Sequence, residues 1–136
     1  MMPAGPELLG FAYFGAVKLV GYTLAGSVLR KNYGRQEVSA LGFGLARTAL
    51  GIAAGVSVGA LFAAAGLRSS EILFYVLLFP VRMAEWLFAI WFFFERPLPS
   101  WNRAAPRAVL GSMWSYALDL PAILAVFTLP GGSWIC

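Results

Sequence analysis

Histidine is missing from this chain, and cysteine occurs once, as Cys136. The first absence removes the usual haem, zinc and chlorophyll ligand and the side chain that titrates near neutral pH. A single cysteine allows no internal disulfide and no thiolate metal cluster. Standing last, it also lacks the three following residues of a prenylation signal. No cofactor, metal or catalytic residue is expected on these grounds. Charge is scarce as well. Only 12% of the 136 residues are Asp, Glu, Lys or Arg, while 60% are hydrophobic. A soluble domain carries about 25% charged residues. With a mean hydropathy of +0.77 the chain has too little polar surface to stay in water. The N-terminal MMPAGPELLGF has no basic region ahead of its apolar stretch, so the first segment is expected to be retained as a helix and not cleaved as a leader.

What fills the sequence instead is hydrocarbon, in four runs at about residues 8–29, 40–66, 71–95 and 108–128. Roughly 20 residues rising 1.5 Å each cross a bilayer core. The joints are RKNYGRQEVS, LRSS and RPLPSWNRAAPR, and the three prolines of the last argue against helix there. Pro130-Gly131-Gly132 closes the fourth run. The expected fold is all-α: a polytopic membrane protein, four transmembrane helices in one antiparallel bundle spanning 1–136.

The loops set an orientation. Arg30, Lys31, Arg35, Arg96, Arg103 and Arg107 lie in the joints after the first and third runs, against Arg68 alone in the other connections. The positive-inside rule then puts loops 30–39 and 96–107 in the cytoplasm and both termini on the non-cytoplasmic side. A bacterial inner (plasma) membrane is the expected location, with Trp101 and Trp134 as interfacial anchors. Orientation also accounts for the net charge of +4. The basic residues form no stripe interleaved with exposed aromatics, so nucleic acid is not expected as a partner.

Four charges fall inside the runs, near their midpoints: Lys18, Arg82, Glu85 and Asp119. At roughly 2.5–3.5 kcal/mol each, left isolated they would cost on the order of 10 kcal/mol. They should therefore face one another as a charge-neutral layer. Arg82 and Glu85 stand three apart and can meet on one helix face. Lys18 and Asp119 are then natural partners across the first and fourth helices, although exchanged pairings fit the sequence equally well. Tyr22, Tyr75, Trp86, Ala89, Ser112, Ser115 and Tyr116 share the faces of these charges and would line a ligand or ion site. Pro80 and Pro121 flank the layer and should free the carbonyls of Val76 and Ala117. Arg47, about seven residues inside the second run, is expected to snorkel to the interface.

Gly51, Gly55 and Gly59 recur every four residues, with Ala63 continuing the row. Such a row lets helix backbones approach closely. Packing on the first helix, through Gly15, Gly21 and Gly26, is favoured over self-association. Phe88, Phe92 and Phe94 are expected on the outer surface of the third helix.

Three classes of function remain. The favoured one is an interaction or ligand-binding component, working as a homo-oligomer or as a subunit of a larger membrane complex and in contact with membrane lipid. The second is a proton- or ion-coupled small transporter or channel using Glu85 and Asp119. The third, an intramembrane lipid-modifying enzyme with Lys18 as base to Ser112 or Ser115, is the least favoured, since no G-x-S-x-G, metal motif or phosphate loop is present.

Overall fold

In the computed structural model residues 4–66 and 71–125 are described, and they form four helices. These are α1 (Ala4–Tyr33), α2 (Ala40–Ala64), α3 (Glu71–Phe94) and α4 (Trp101–Ala125). No strand occurs among the described residues. Arg68, Trp134 and the Pro130-Gly131-Gly132 stop lie outside them, as do residues 126–128 of the fourth expected run.

The helix ends follow backbone chemistry more than hydropathy. The first apolar run stops at Leu29, yet α1 continues through Arg30, Lys31 and Asn32, and basic residues are good helix formers. Gly34, at φ 66°, stops it. There the Arg35 N–H donates to the Arg30 carbonyl and the Gly34 N–H to that of Lys31. This is the paired closure that a left-handed glycine allows. Ser39 caps α2 by accepting from the Gly42 N–H at 3.0 Å.

At the other basic joint the structure corrects the expectation. α4 begins at Trp101, seven residues before 108, and holds Pro106 in its second turn. Proline there forfeits one backbone bond, which the rest of a 25-residue helix absorbs. Only Pro97 and Pro99 remain in the connection.

Three helices are long and apolar enough to cross a membrane: Leu9–Tyr33, Ala40–Ala64 and Ile72–Phe94. The described part of α4, with Asn102, Arg103, Arg107 and Asp119, is not among them.

The helices pack as a ring in which α1 touches α2 and α4, and α3 touches the same two. The core is Tyr22, Leu29, Phe43, Trp86, Ala89, Ile90, Phe94, Ala104, Ala108 and Leu118. It gathers toward the end bearing the two basic joints. On α2 the buried residues are Phe43, Gly44 and Arg47, all in its first two turns.

Two packing expectations change. Open space surrounds Gly59, and the one neighbour a Cβ on Gly51 would meet is Arg47 of its own helix. Gly55 is half-buried. The row therefore makes no close backbone approach to α1: Gly51 borders a gap beside Phe14, Lys18 and Tyr22, and Gly59 meets open space. Close approach occurs a turn or more earlier, where a Cβ on Gly44 would press on the Thr23 backbone and one on Gly26 would meet Phe43. The α1–α2 contact sits where the core is, and the glycine row begins beyond it. Phe88 and Phe92 are exposed as expected, but Phe94 is buried, its ring stacked on Tyr33 at 5.2 Å. Its place near the end of α3 turns it toward the basic joints instead of outward.

Candidate functional site

Four helices bring five ionisable side chains together in the interior. Lys18 comes from α1, Arg47 from α2, Arg82 and Glu85 from α3, and Asp119 from α4. Lys18, Arg47, Arg82 and Asp119 are each no more than 2% exposed, and the Glu85 side chain is 10% exposed.

They pair in two tiers. In the deeper one a single carboxylate serves two cations. Asp119 Oδ1 receives Lys18 Nζ at 2.5 Å, and Oδ2 receives Arg82 Nη2 at the same distance. Lys18 also donates to the Ser115 carbonyl at 3.2 Å. The second tier lies three residues along α3, about 4.5 Å nearer the basic joints. There Arg47 Nη2 meets Glu85 Oε2 at 2.7 Å.

This arrangement departs from the expected one in three respects. Arg82 and Glu85 do not pair with each other. Three residues of helix turn them about 60° apart, so one addresses α4 and the other α2. Arg47 does not snorkel; it turns inward, because Glu85 would otherwise be a lone buried carboxylate. With Arg47 included, the layer is not neutral. Among the described residues three cations face two carboxylates, an excess of one positive charge.

Aromatic faces surround the cations. The Arg47 guanidinium carbon lies 4.9 Å from the Tyr22 ring centre and 5.2 Å from that of Trp86. That of Arg82 lies 4.2 Å from Tyr116. Lys18 Nζ sits 5.3 Å from Phe14 and 5.6 Å from Tyr22. A desolvated cation on a ring face gains about 2 kcal/mol or more, which offsets part of the cost of burial.

The hydroxyls and indoles hold this frame in place. Ser115 Oγ accepts from Tyr22 Oη at 3.1 Å and from Trp86 Nε1 at 2.9 Å, tying α1, α3 and α4 at one atom. Ser112 donates to the Ala108 carbonyl of its own helix. Tyr116 Oη donates to the Tyr75 carbonyl at 2.9 Å, one residue before the Val76 carbonyl that Pro80 leaves without its helical donor. Ala89 is buried in the same core cluster as Trp86.

Not every donor and acceptor in the centre is used. Arg47 Nε and Nη1, Arg82 Nε and Nη1, and Glu85 Oε1 are buried without a hydrogen-bond partner. A narrow space of about 10 Å³ lies on the Lys18 side of the centre between α1 and α2, lined by Phe14, Lys18, Tyr22, Thr48, Gly51 and Ile52. That is close to the room one water needs.

Two contributors escaped the sequence reading. Arg47 was placed by its distance from the helix end alone; the signal available was Glu85, which needs a cation of its own once Asp119 holds Arg82. Glu95 organises the basic end. It accepts from Tyr33 Oη at 2.6 Å and from the Ser100 N–H at 2.7 Å, just before α4 begins.

Together these features define a class: a small all-helical bundle with three membrane-capable helices and a buried ionic centre. No family model, curated protein or solved structure matches the chain.

Proposed function

We propose that the chain is an integral membrane ligand-binding component, with all four helices in the bilayer and the ionic centre as its ligand site. The observation that carries this is the excess positive charge beside unpartnered guanidinium N–H groups. A register device needs matched pairs, and surplus cation in a low-dielectric interior is costly unless something neutralises it. An anionic ligand meets both demands, and Lys18, Arg47 and Arg82 would hold it, within the frame of Tyr22, Tyr75, Trp86, Ser112, Ser115 and Tyr116.

The proposal keeps the basic joints in the cytoplasm and both termini outside, as in a bacterial inner membrane. It also includes association, as an oligomer or with a partner subunit. The second half of α2, with Val56 exposed and open space around Gly59 among the described residues, supports that part.

A transporter that loads protons or cations on Glu85 and Asp119 has less support, because cations already engage both carboxylates. The lipid-modifying reading loses support too. Ser112 spends its proton on Ala108, and Ser115 Oγ accepts two donors.

The test is native mass spectrometry of the tagged protein in mild detergent. A bound small anion is expected on the wild type and not on Lys18→Met, which leaves two cations on two carboxylates. A strictly monomeric particle would remove the association. An adduct-free wild type would remove the ligand site.

A further inference from the structure

A groove of about 310 Å³ runs between α1 and α4, and none of the five ionisable side chains of the centre lines it. Leu24, Ala25 and Val28 form one wall, Leu110 and Trp114 the other, and Trp86 lies at its floor behind Gly111. A side chain on Gly111 would collide with the Trp86 ring, so glycine there leaves the floor open. The groove is apolar until it reaches the basic joints, where Asn32 and Arg107 stand at its mouth.

Charge at that mouth is of one sign. Arg103 and Arg107 each lay a guanidinium 4.8 Å from the centre of the same Tyr33 ring. Arg107 gives Nη1 to the Arg103 carbonyl and keeps its other donors. The acid nearby is Glu95, already engaged by Tyr33 Oη and the Ser100 N–H. Arg35 is paired with Glu37.

The dimensions exclude a helix as occupant. A helix with side chains is about 10–12 Å across, whereas the groove holds on the order of ten water-sized groups. Residues 24 to 32 extend about 12 Å along the axis, which suits a stretch of hydrocarbon chain lying parallel to α1. A chain in an apolar slot with a negative head at two guanidiniums has the layout of an anionic phospholipid.

We propose that this groove binds one acyl chain of an anionic glycerophospholipid, with its phosphate held at the mouth by Arg107 and Arg103. The groove shares Trp86 with the ionic centre, but its ligand would be held by different cations, and it does not depend on which side of the membrane the loops face. Arginine suits it because its fork meets phosphate oxygens two at a time.

Full-length protein in detergent, given phosphatidylglycerol or phosphatidylcholine of equal chain length, provides the test by native mass spectrometry. One phosphatidylglycerol per chain should survive at activation energies that strip phosphatidylcholine. Arg107→Gln should lower its retention about fivefold, the worth of one basic residue at an anionic surface. Arg96→Gln, at the same end but over Phe92 and Trp91, should leave retention unchanged. Val28 is exposed, so Val28→Trp should fill the groove from outside without disturbing the core, and should abolish retention. Equal retention of the two lipids overturns the proposal. So does an Arg96→Gln loss as large as that of Arg107→Gln, or full retention in Val28→Trp.

Discussion

The two polar clusters of this protein use similar residues under opposite conditions. The centre buries Lys18, Arg47, Arg82, Glu85 and Asp119. The basic end holds Tyr33, Arg35, Glu95, Arg103 and Arg107, with Arg103 exposed and Tyr33, Arg35 and Arg107 half-buried. Both contain more cations than carboxylates. In the centre water cannot screen the surplus, so each cation is driven onto a carboxylate, a ring face or both. At the basic end screening is available, and Arg103 and Arg107 can share one tyrosine ring with no carboxylate bound to either. The same surplus is thus a constraint on stability in one place and a free attraction for an anion in the other.

The contrast is tested most severely at Asp119. Asp119→Asn strips the counter-charge from two buried cations at once and should cost about 3–5 kcal/mol, the range for a broken buried pair. Glu85→Gln strands only Arg47, which keeps the faces of Tyr22 and Trp86, so its loss should sit at or below the lower end of that range. Removing both members, as Arg47→Met/Glu85→Leu, should recover most of the stability. Reversible unfolding in detergent, followed by circular dichroism, gives the three values. Equal losses for Asp119→Asn and Glu85→Gln would mean that sharing one carboxylate between two cations has no energetic weight.

At the basic end the corresponding change is Tyr33→Phe. It removes the hydrogen bond to Glu95 and keeps the ring that stacks on Phe94 and carries both guanidiniums. A bond to a carboxylate is worth about 1.5–3 kcal/mol when buried, and Tyr33 is only partly so. About 1 kcal/mol is the expected loss in the same unfolding experiment. A loss matching that of Asp119→Asn would erase the distinction between screened and unscreened clusters.

The sequence made the helices legible because hydrocarbon runs of bilayer length leave few alternatives. It placed the starts of α2 and α3 correctly, since Ser39 and the LRSS joint interrupt hydropathy there. It misplaced the end of α1 and the start of α4. At both, hydropathy ends where the helix does not: Arg30 to Asn32 extend α1, and α4 takes in Trp101 to Arg107 with Pro106 in an early turn. The membership of Lys18, Arg82, Glu85 and Asp119 in one buried centre was legible from burial cost. Their pairing was not, because it depends on which neighbour each face of α3 meets, and that is a property of the ring of helices. Arg47 shows the same limit: its distance to the interface and the need of Glu85 for a cation are written in the sequence, but that α2 turns Arg47 toward Glu85 is not. The Gly51, Gly55 and Gly59 row misled for a related reason, since spacing defines a smooth face without saying what lies against it.

The smallest effect belongs to the Arg35–Glu37 pair in the first basic joint. The Arg35 Nε hydrogen bond at 2.8 Å holds the Glu37 carboxyl below its ordinary value of 4.5. A carboxyl depressed in the folded state adds stability above its unfolded pKa and loses it as pH falls through the lowered value. The pair is open to solvent, so screening leaves that contribution slight. Wild type and Glu37→Gln should therefore differ marginally at neutral pH, and the difference should close as pH falls below 4.5 through the lowered value. Melting the two proteins in parallel across that range checks the sign. A difference that widened in acid would show that Glu37 gains nothing from Arg35 when ionised. The basic end would then hold its joints together without ion pairing, in sharper contrast to the centre than the geometry alone implies.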